Sequence, residues 1–429
     1  MSTEPRREKP LTGAFRSDGE PLTLKEYRKA GGYQGLEAAF KQEPKAITQA
    51  VIDSHLRGRG GAGFSTGGKW HFSPMGPDVR RPKYVTCNAD EMEPGSFKDR
   101  LLMEANPHLL IEGMIIAGYA MQAEHAYIFL RWAYKRSEAR LRKAMQEAYD
   151  AELLGSNIMG SGYSLDLRLH TSAGRYMCGD EKTMQTALEG KRPLPRTTPP
   201  HMAEVGLWGK PTVNNNVETF CNVPYIAQYG AEQYRQLSFT EDGGTKLYGV
   251  SGNVKRPGAW ELPMGTSLRE LIEVHAGGMK EGFTCRAAIP GGASTGVVLE
   301  KDFDAPMDFD GLQQVGSRMG TGTAIVIDDQ ICPVSVMLSL MLFYARESCG
   351  WCTPCREGLP WIVKILQAIE EGRGEPEDLE ILEEHPRLLG PSHTFCGLAP
   401  GAMEPFATGI KHFRKDFERH ITEKKCPWR

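Results

Sequence analysis

Three of the ten cysteines fall inside seven residues, Cys349, Cys352 and Cys355 of ESCGWCTPCREG, with two residues between each pair. That spacing lets one loop offer three thiolates to three irons of a cubane cluster. Cys396 of HTFCGLAP, just before the last helical pattern, is the natural fourth ligand. Zinc is the rival metal, although structural zinc sites usually pair two separated knuckles. Cysteines that only pack in the interior are the remaining alternative. Cys87, Cys178, Cys221, Cys285, Cys332 and Cys426 lack such spacing and read as small buried hydrophobes rather than ligands.

Four further clusters carry polar chemistry. RGRGGAGFSTGGKW at 57–70 has a backbone able to approach a ligand without Cβ clashes, amides able to meet a phosphate, and Arg57, Arg59 and Lys69 as cationic partners. Phe64 and Trp70 add flat apolar surfaces. The loop is neither the usual dinucleotide fingerprint nor a Walker loop. NADEMEPG at 88–95 places Asn88, Asp90, Glu91 and Glu93 directly after a short apolar run, where open α/β sheets bind ligands. GRYMCGDE at 174–181 and GKPTVNNNVET at 209–219 complete the set. Each alone reads equally as a turn or a solvated loop. Together, in one α/β layer, they point to a pocket for a nucleotide-type cofactor.

The elements that must position these groups follow from periodicity. A chain of 429 residues suggests two or three domains. With 40% hydrophobic and 24% charged residues it is an ordinary globular composition. The net charge of -3 supplies no broad field for nucleic acid or an anionic membrane. The longest strongly apolar run, 336–344, is far too short to span a bilayer, and Met1 to Pro10 carries no targeting pattern. A cytoplasmic chain with reduced thiols is expected.

Residues up to about Gly35 read as a surface wrap. A helix is predicted over 45–56, a strand at Tyr84 to Cys87, a helix over Lys98 to Met121, a strand at Ala126 to Leu130 and a helix over Ser137 to Tyr149. This alternation predicts an α/β layer with a largely parallel sheet. Alternating Tyr163, Leu165, Leu167 and Leu169 extend it, and a Pro- and Gly-rich segment, 190–216, leaves it as a long loop. A β-rich α+β unit begins near Leu247. From Pro333 the pattern is helical, at 333–347, 356–371, about 377–387, and a last helix with Phe406, Ile410, Phe413, Phe417 and Ile421 on one face. The fold class is thus multidomain, α/β plus α+β plus all-α, divided at 1–240, 241–332 and 333–429.

RGRGGAGFSTGGKW, CNADEMEPGSFKDRLLME, GRYMCGDE with LEGKR, KPTVNNNVET, and ESCGWCTPCREGLP with TFCGLAPGA stand in an order that resembles the NADH-binding, flavin-carrying 51 kDa-type subunit of respiratory complex I. The resemblance covers nearly the whole chain. It implies a Rossmann-like FMN domain, a ubiquitin-like β-grasp domain and a helical bundle with one 4Fe-4S cluster on Cys349, Cys352, Cys355 and Cys396. FMN contacts carried over by position are Arg59, Gly60, Gly61, Gly63 and Lys69 of the first motif and Asn88, Asp90 and Glu91 of the second. Tyr176, Gly179, Asp180 and Glu181 follow from the third motif, and Asn215, Asn216 and Thr219 from the fourth. NADH contacts would be Gly61, Ala62, Phe64, Lys69, Glu93 and His201.

The resemblance implies direct hydride transfer from NADH to FMN without a side-chain catalyst, with Glu91 and Glu181 as candidates for tuning the flavin potential. Single electrons would pass to the cluster and on towards quinone. Glu93 would repel a 2′-phosphate, favouring NADH over NADPH. Partners implied are a small thioredoxin-like 2Fe-2S subunit and a large multi-cluster iron-sulfur subunit, in a peripheral arm on the inner face of the inner membrane. Thr198 and His201 flank the paired prolines where the family commonly has Lys and Phe, and Asp180 replaces the first Glu of GEE. Diaphorase subunits of NAD-linked hydrogenases or formate dehydrogenases resemble the same module; they often carry a further iron-sulfur domain in front, whereas here some 55 residues precede the glycine loop. A non-catalytic iron-sulfur scaffold without flavin is the other alternative.

Overall fold

A computed structural model describes residues 8–429. Strands β1 (Tyr84–Ala89), β2 (His125–Leu130), β3 (Asp166–Thr171) and β4 (Thr212–Asn216) form one all-parallel sheet in the order β3-β2-β1-β4. Val85, Thr86, Cys87 and Ala89 of β1 are all buried, as a parallel strand covered by helices on both faces requires. Periodicity predicts one helix from Lys98 to Met121, but the chain makes two, Lys98–Ala105 and Pro107–Met121. Pro107 cannot donate within a continuous helix, and the Asn106 side chain restarts the second by accepting from the Leu109 N–H at 3.3 Å. That second helix is buried on almost every side, through Leu109, Leu110, Ile111, Met114, Ile115 and Ile116, so it is a core helix rather than an amphipathic cover.

The segment 190–216 is not a loop throughout. Its last residues return as β4, paired with β1 in the register Tyr84↔Thr212 to Asn88↔Asn216, because Thr212 and Val213 are β-branched and buried. The described residues up to Met92, with Phe97–Leu247 and Glu261–Gly265, form one compact unit.

The other unit comprises Glu93–Ser96, Tyr248–Trp260 and Thr266–Arg429. Its mixed sheet has the order β6-β5-β9-β7-β8, from β5 (Thr245–Ser251), β6 (Gly258–Pro263), β7 (Cys285–Ile289), β8 (Val298–Leu299) and β9 (Thr323–Asp328). β5 and β9 run parallel, and β7 is antiparallel to both β9 and β8. Helices Pro333–Glu347, Thr353–Glu370, Pro376–Leu389 and Leu398–Glu423 complete the unit. The expected apolar face of the last helix, Phe406 to Ile421, is buried. Among the described residues no helix is long and apolar enough to cross a membrane.

Candidate functional site

The chain builds β1, β2 and β3 outward in one direction and then crosses back to lay β4 on the opposite side of β1. The reversal opens a crevice at the carboxyl ends of β1 and β4, the place where open α/β sheets bind ligands. Asn88, next to last in β1, lies opposite Asn216 at the end of β4, and Cys87 lies opposite Asn215. Asn88 Nδ2 donates to the Gly179 carbonyl at 2.9 Å, which brings the GRYMCGDE turn to the same crevice. Asp180 caps helix Glu181–Leu188 by accepting from the Thr183 N–H at 2.8 Å, and Tyr176 is half-buried on the preceding turn. Lys69 Nζ donates to Glu181 Oε2 at 2.7 Å and to the Asn214 carbonyl at 3.2 Å. The sequence-derived residues of all four motifs therefore converge.

The glycine loop is braced from within. Arg57 Nε donates to the Gly63 carbonyl at 2.7 Å, and Arg59 N–H donates to Thr219 Oγ1 at 2.9 Å. This corrects the expectation that Arg57, Arg59 and Lys69 would all serve as cationic partners of a ligand. The Arg59 guanidinium is fully buried, donating to the Gly243 and Thr245 carbonyls at 2.6 and 3.2 Å. A buried guanidinium is tolerated only with such acceptors, so its charge is committed to the core. Lys69 is the cation of the motif that stays at the crevice. Trp70, expected as an open surface, is buried and donates its indole N–H to Asn215 Oδ1 at 2.9 Å. Ala62, Phe64 and His201 are exposed.

The donor set fits FMN. Gly61 has φ 125° and leaves loop amides free of Cβ shielding; a Cβ at Gly60 would stand 3.1 Å from Asn216 Cβ, so the loop lies tight against β4. Amides of Asn88 and Asn215, the Lys69 ammonium and loop N–H groups offer the mix of donors and acceptors that a phosphate, a polyol and a ring imide require. The two candidate tuning acids differ. Glu91 accepts from the N–H groups of Asp99 and Arg100 at 3.0 and 3.2 Å and from Tyr134 OH at 3.1 Å, capping helix Lys98–Ala105. Asp90 accepts from Ser172 Oγ at 2.8 Å. Glu181 is paired with Lys69.

Beneath Asn216 lies a buried ion network that the sequence reading missed. Lys98 Nζ reaches Asp99 Oδ1 at 2.7 Å, Glu218 Oε2 at 2.9 Å and Asn216 Oδ1 at 3.0 Å, while Asn216 Nδ2 donates to Asp99 Oδ2 at 2.7 Å. Lys246 donates to Glu218 Oε2 at 2.7 Å. Burial opposes the Glu218 charge, but Lys246 and Lys98 outweigh it and hold the carboxyl down at about 2. Both faces of the Asn216 amide are thus fixed before any ligand arrives. The signal was present in the charged residues of SFKDR and NNNVET.

In the other unit Glu93 accepts from the Ser294 N–H at 2.6 Å, and the Pro94 carbonyl accepts from Ala293 N–H at 3.1 Å. Cys349, Cys352 and Cys355 span the turn between helices Pro333–Glu347 and Thr353–Glu370. Cys352 occupies the N-cap position of the second helix and Cys355 lies in its first turn. Burial, with Cys352 and Cys349 alongside, pushes the Cys355 thiol up to about 11. Trp351 and Phe395 pack with ring centres 6.3 Å apart, bringing the Cys396 turn against the tricysteine loop. None of the four is tied up in a disulfide, and a soft sulfur set on one loop and one neighbouring turn fits an iron-sulfur cube.

Cys332 and Cys426, read as plain core residues, are instead gathered with His420 and Glu370. Cys87, Cys178 and Cys221 are buried as expected.

Comparison with known proteins gives three family matches: the Nuo51 FMN-binding domain over residues 51–225, the SLBB domain over 247–298, and the NADH-ubiquinone oxidoreductase-F iron-sulfur binding region over 335–420. The F subunit of NADH-quinone oxidoreductase from Salmonella typhimurium is 52% identical over 415 residues, covering 96% of this chain and 93% of the relative. The Escherichia coli K12 protein of the same name gives the same identity and coverage. That of Streptomyces coelicolor is 43% identical, covering 98% and 92%. Among solved structures, an NAD+-reducing NiFe hydrogenase in the H2-reduced state superposes with a TM-score of 0.81 at 34% identity, covering 95% of this chain and 67% of that one.

Proposed function

Since the chain belongs to the NADH-quinone oxidoreductase-F family, we propose that the crevice at β1 and β4 is its FMN and NADH site and that Cys349, Cys352, Cys355 and Cys396 ligate its cluster. The chain is an NADH dehydrogenase subunit with FMN and one 4Fe-4S cluster as cofactors and NADH as substrate. FMN held by the crevice residues would supply two-electron acceptance of hydride with one-electron release, and a cluster held by Cys349, Cys352, Cys355 and Cys396 would supply one-electron acceptance. What the protein contributes is position. Asn88, Asn215 and Asn216 stand at the strand ends, with Trp70 orienting Asn215 and Lys98 and Asp99 orienting Asn216. Lys69 supplies the local positive charge, moderated by Glu181, whose pairing makes it the stronger tuning candidate. Glu91, committed to its helix, acts on the flavin through charge alone.

Exposed Phe64 and His201 are suited to stack on the rings of NADH, with Gly61, Ala62 and Lys69 alongside. Glu93, as an anion, disfavours NADPH. Residues 1–240, 241–332 and 333–429 act as the flavin domain, the β-grasp domain and the cluster-bearing bundle. Partners are a thioredoxin-like 2Fe-2S subunit and a large multi-cluster subunit, in an arm on the inner face of the inner membrane. The observation that carries this reading is the convergence of four motifs on one topological switch point. The hydrogenase-type diaphorase is the second reading, and 52% identity to the Salmonella quinone oxidoreductase against 34% to the hydrogenase chain favours the first. The test is purified protein assayed for FMN, iron and NADH–ferricyanide activity. Flavin bleached by NADH is expected; absence of FMN at full iron content would leave only the scaffold.

A further inference from the structure

At the end of the helical bundle away from the tricysteine loop, four side chains from distant parts of the chain meet. Cys332 precedes helix Pro333–Glu347, Glu370 ends helix Thr353–Glu370, His420 lies in the last turn of helix Leu398–Glu423, and Cys426 follows that helix. All are buried, His420 completely. Cys332 Sγ is 3.3 Å from Glu370 Oε2 and 3.2 Å from His420 Nε2; His420 Nε2 is 3.3 Å from the same Glu370 oxygen. All four donor atoms, Cys426 Sγ included, lie within 4.8 Å of one another.

We propose that Cys332, Glu370, His420 and Cys426 form a structural zinc site, separate from the iron-sulfur ligands. Tetrahedral zinc, with bonds of about 2.3 Å to sulfur and about 2.0 Å to nitrogen or oxygen, puts its donors roughly 3.3–3.8 Å apart. The separations of 3.2–3.3 Å among Cys332, Glu370 and His420 lie at the short edge of that shell, and Cys426 Sγ stands within 4.8 Å of all three, close enough for a small rotamer change to complete it. The outer contacts are those a ligating histidine uses. His420 Nδ1 is 2.7 Å from the Asp416 carbonyl, which can only accept, so Nδ1 carries the hydrogen and Nε2 presents a lone pair to the cluster. Trp428 stacks on the imidazole at 5.8 Å and 18°. Cys332 Sγ accepts from the Ser335 N–H at the start of its helix, a position that stabilises a thiolate, and Arg429 lies 3.5 Å from Glu370 Oε1. Two thiolates and a carboxylate leave the site with one net negative charge on zinc, which Arg429 offsets. Binding releases the two thiol protons to solvent and changes no oxidation state.

The site is remote from Cys349–Cys355. Glu370 follows Cys355 by 15 residues on one helix, about 22 Å at 1.5 Å per residue. A full protein ligand set with no open position makes the ion structural, tying the chain's last residues to the ends of two bundle helices.

The test uses the full chain purified with its bound cofactors from zinc-supplemented cells, analysed for metals by mass spectrometry and at the zinc K-edge. Expected are one zinc per chain beyond the iron, with two sulfur and two nitrogen or oxygen neighbours. Cys426→Ser and His420→Gln should each lower zinc content at least about tenfold with iron and FMN retained. Should either variant fail to fold, the coordination shell of the wild-type protein still decides. Zinc absent after titration with zinc chloride, zinc retained in both variants, four sulfurs around it, or a Cys332–Cys426 disulfide in the purified protein would each overturn the assignment.

Discussion

The two units solve the problem of holding a cofactor in opposite ways. In the sheet unit the crevice residues are tied down by the protein itself: Asn216 between Lys98 and Asp99, Asn215 by Trp70, the glycine loop by Thr219 and Arg57. In the helical bundle the cysteines sit on a turn, where Ser348 Oγ meets Cys355 Sγ at 3.2 Å and Trp351 packs on Phe395. One site is organised before its ligand arrives; the other is organised by its ligand. Preorganisation lowers the cost of binding, whereas metal-organised sites couple binding to local folding.

The contrast breaks most sharply at a cluster cysteine. Cys355→Ser should abolish the 4Fe-4S electron paramagnetic resonance signal and reduce quinone-linked turnover of the assembled complex to below about 1%. FMN content and NADH–ferricyanide activity should persist, because the sheet unit builds its crevice without the cluster. Loss of FMN together with iron would show that the crevice is not preorganised.

Next in size is Glu218→Gln, which removes the anion between Lys98 and Lys246. Leaving the buried Lys246 ammonium without its carboxylate costs about 3–5 kcal/mol, read as a lower urea midpoint, while Lys98 keeps Asp99. FMN affinity should fall with it, since Lys98 then loses one of its two carboxylates and holds Asn216 less firmly. The pH dependence has a definite sign. A carboxyl held at about 2 against an ordinary 4.5 contributes stability that is present above pH 4.5 and lost as pH falls towards 2. That component of the acid-induced loss should be missing from the variant.

Gly61→Ala comes third. At φ 125° an alanine is strained by about 1–3 kcal/mol, so the loop either shifts or binds FMN roughly tenfold or more weakly, with thermal stability changed less than affinity. Equal loss of both would place the strain in the fold rather than the site.

These contrasts also explain what could be read from the chain beforehand. Asn88 and the 214–216 asparagines were legible because they punctuate strand ends, and the apolar face from Phe406 to Ile421 because it repeats at helical spacing. Helix breaking at Pro107 needed only its missing N–H, a local rule that outweighs apolar periodicity. What stayed hidden depends on residues meeting across the fold. Lys246 finds Glu218 from 28 positions away, and Cys332 finds His420 from 88. Arg59 looked like a phosphate ligand because its neighbours are glycines; only the carbonyls of Gly243 and Thr245 reveal that it faces inward.

The smallest effect tests whether the Lys69–Glu181 pair belongs to the organised side of the comparison. Asp180 caps helix Glu181–Leu188 through both Thr183 N–H and Thr183 Oγ1, each at 2.8 Å. Asp180→Ala should cost about 1 kcal/mol, and Asp180→Asn, which can still accept from the same amide, much less. Because Glu181 opens that helix, loosening the cap moves the carboxylate that fixes Lys69 Nζ at 2.7 Å. The expected readout is a flavin reduction potential shifted in Asp180→Ala and restored in Asp180→Asn. A potential unmoved by either, with the stability loss present, would mean that the pair does not feel the helix start and that Glu181 tunes nothing.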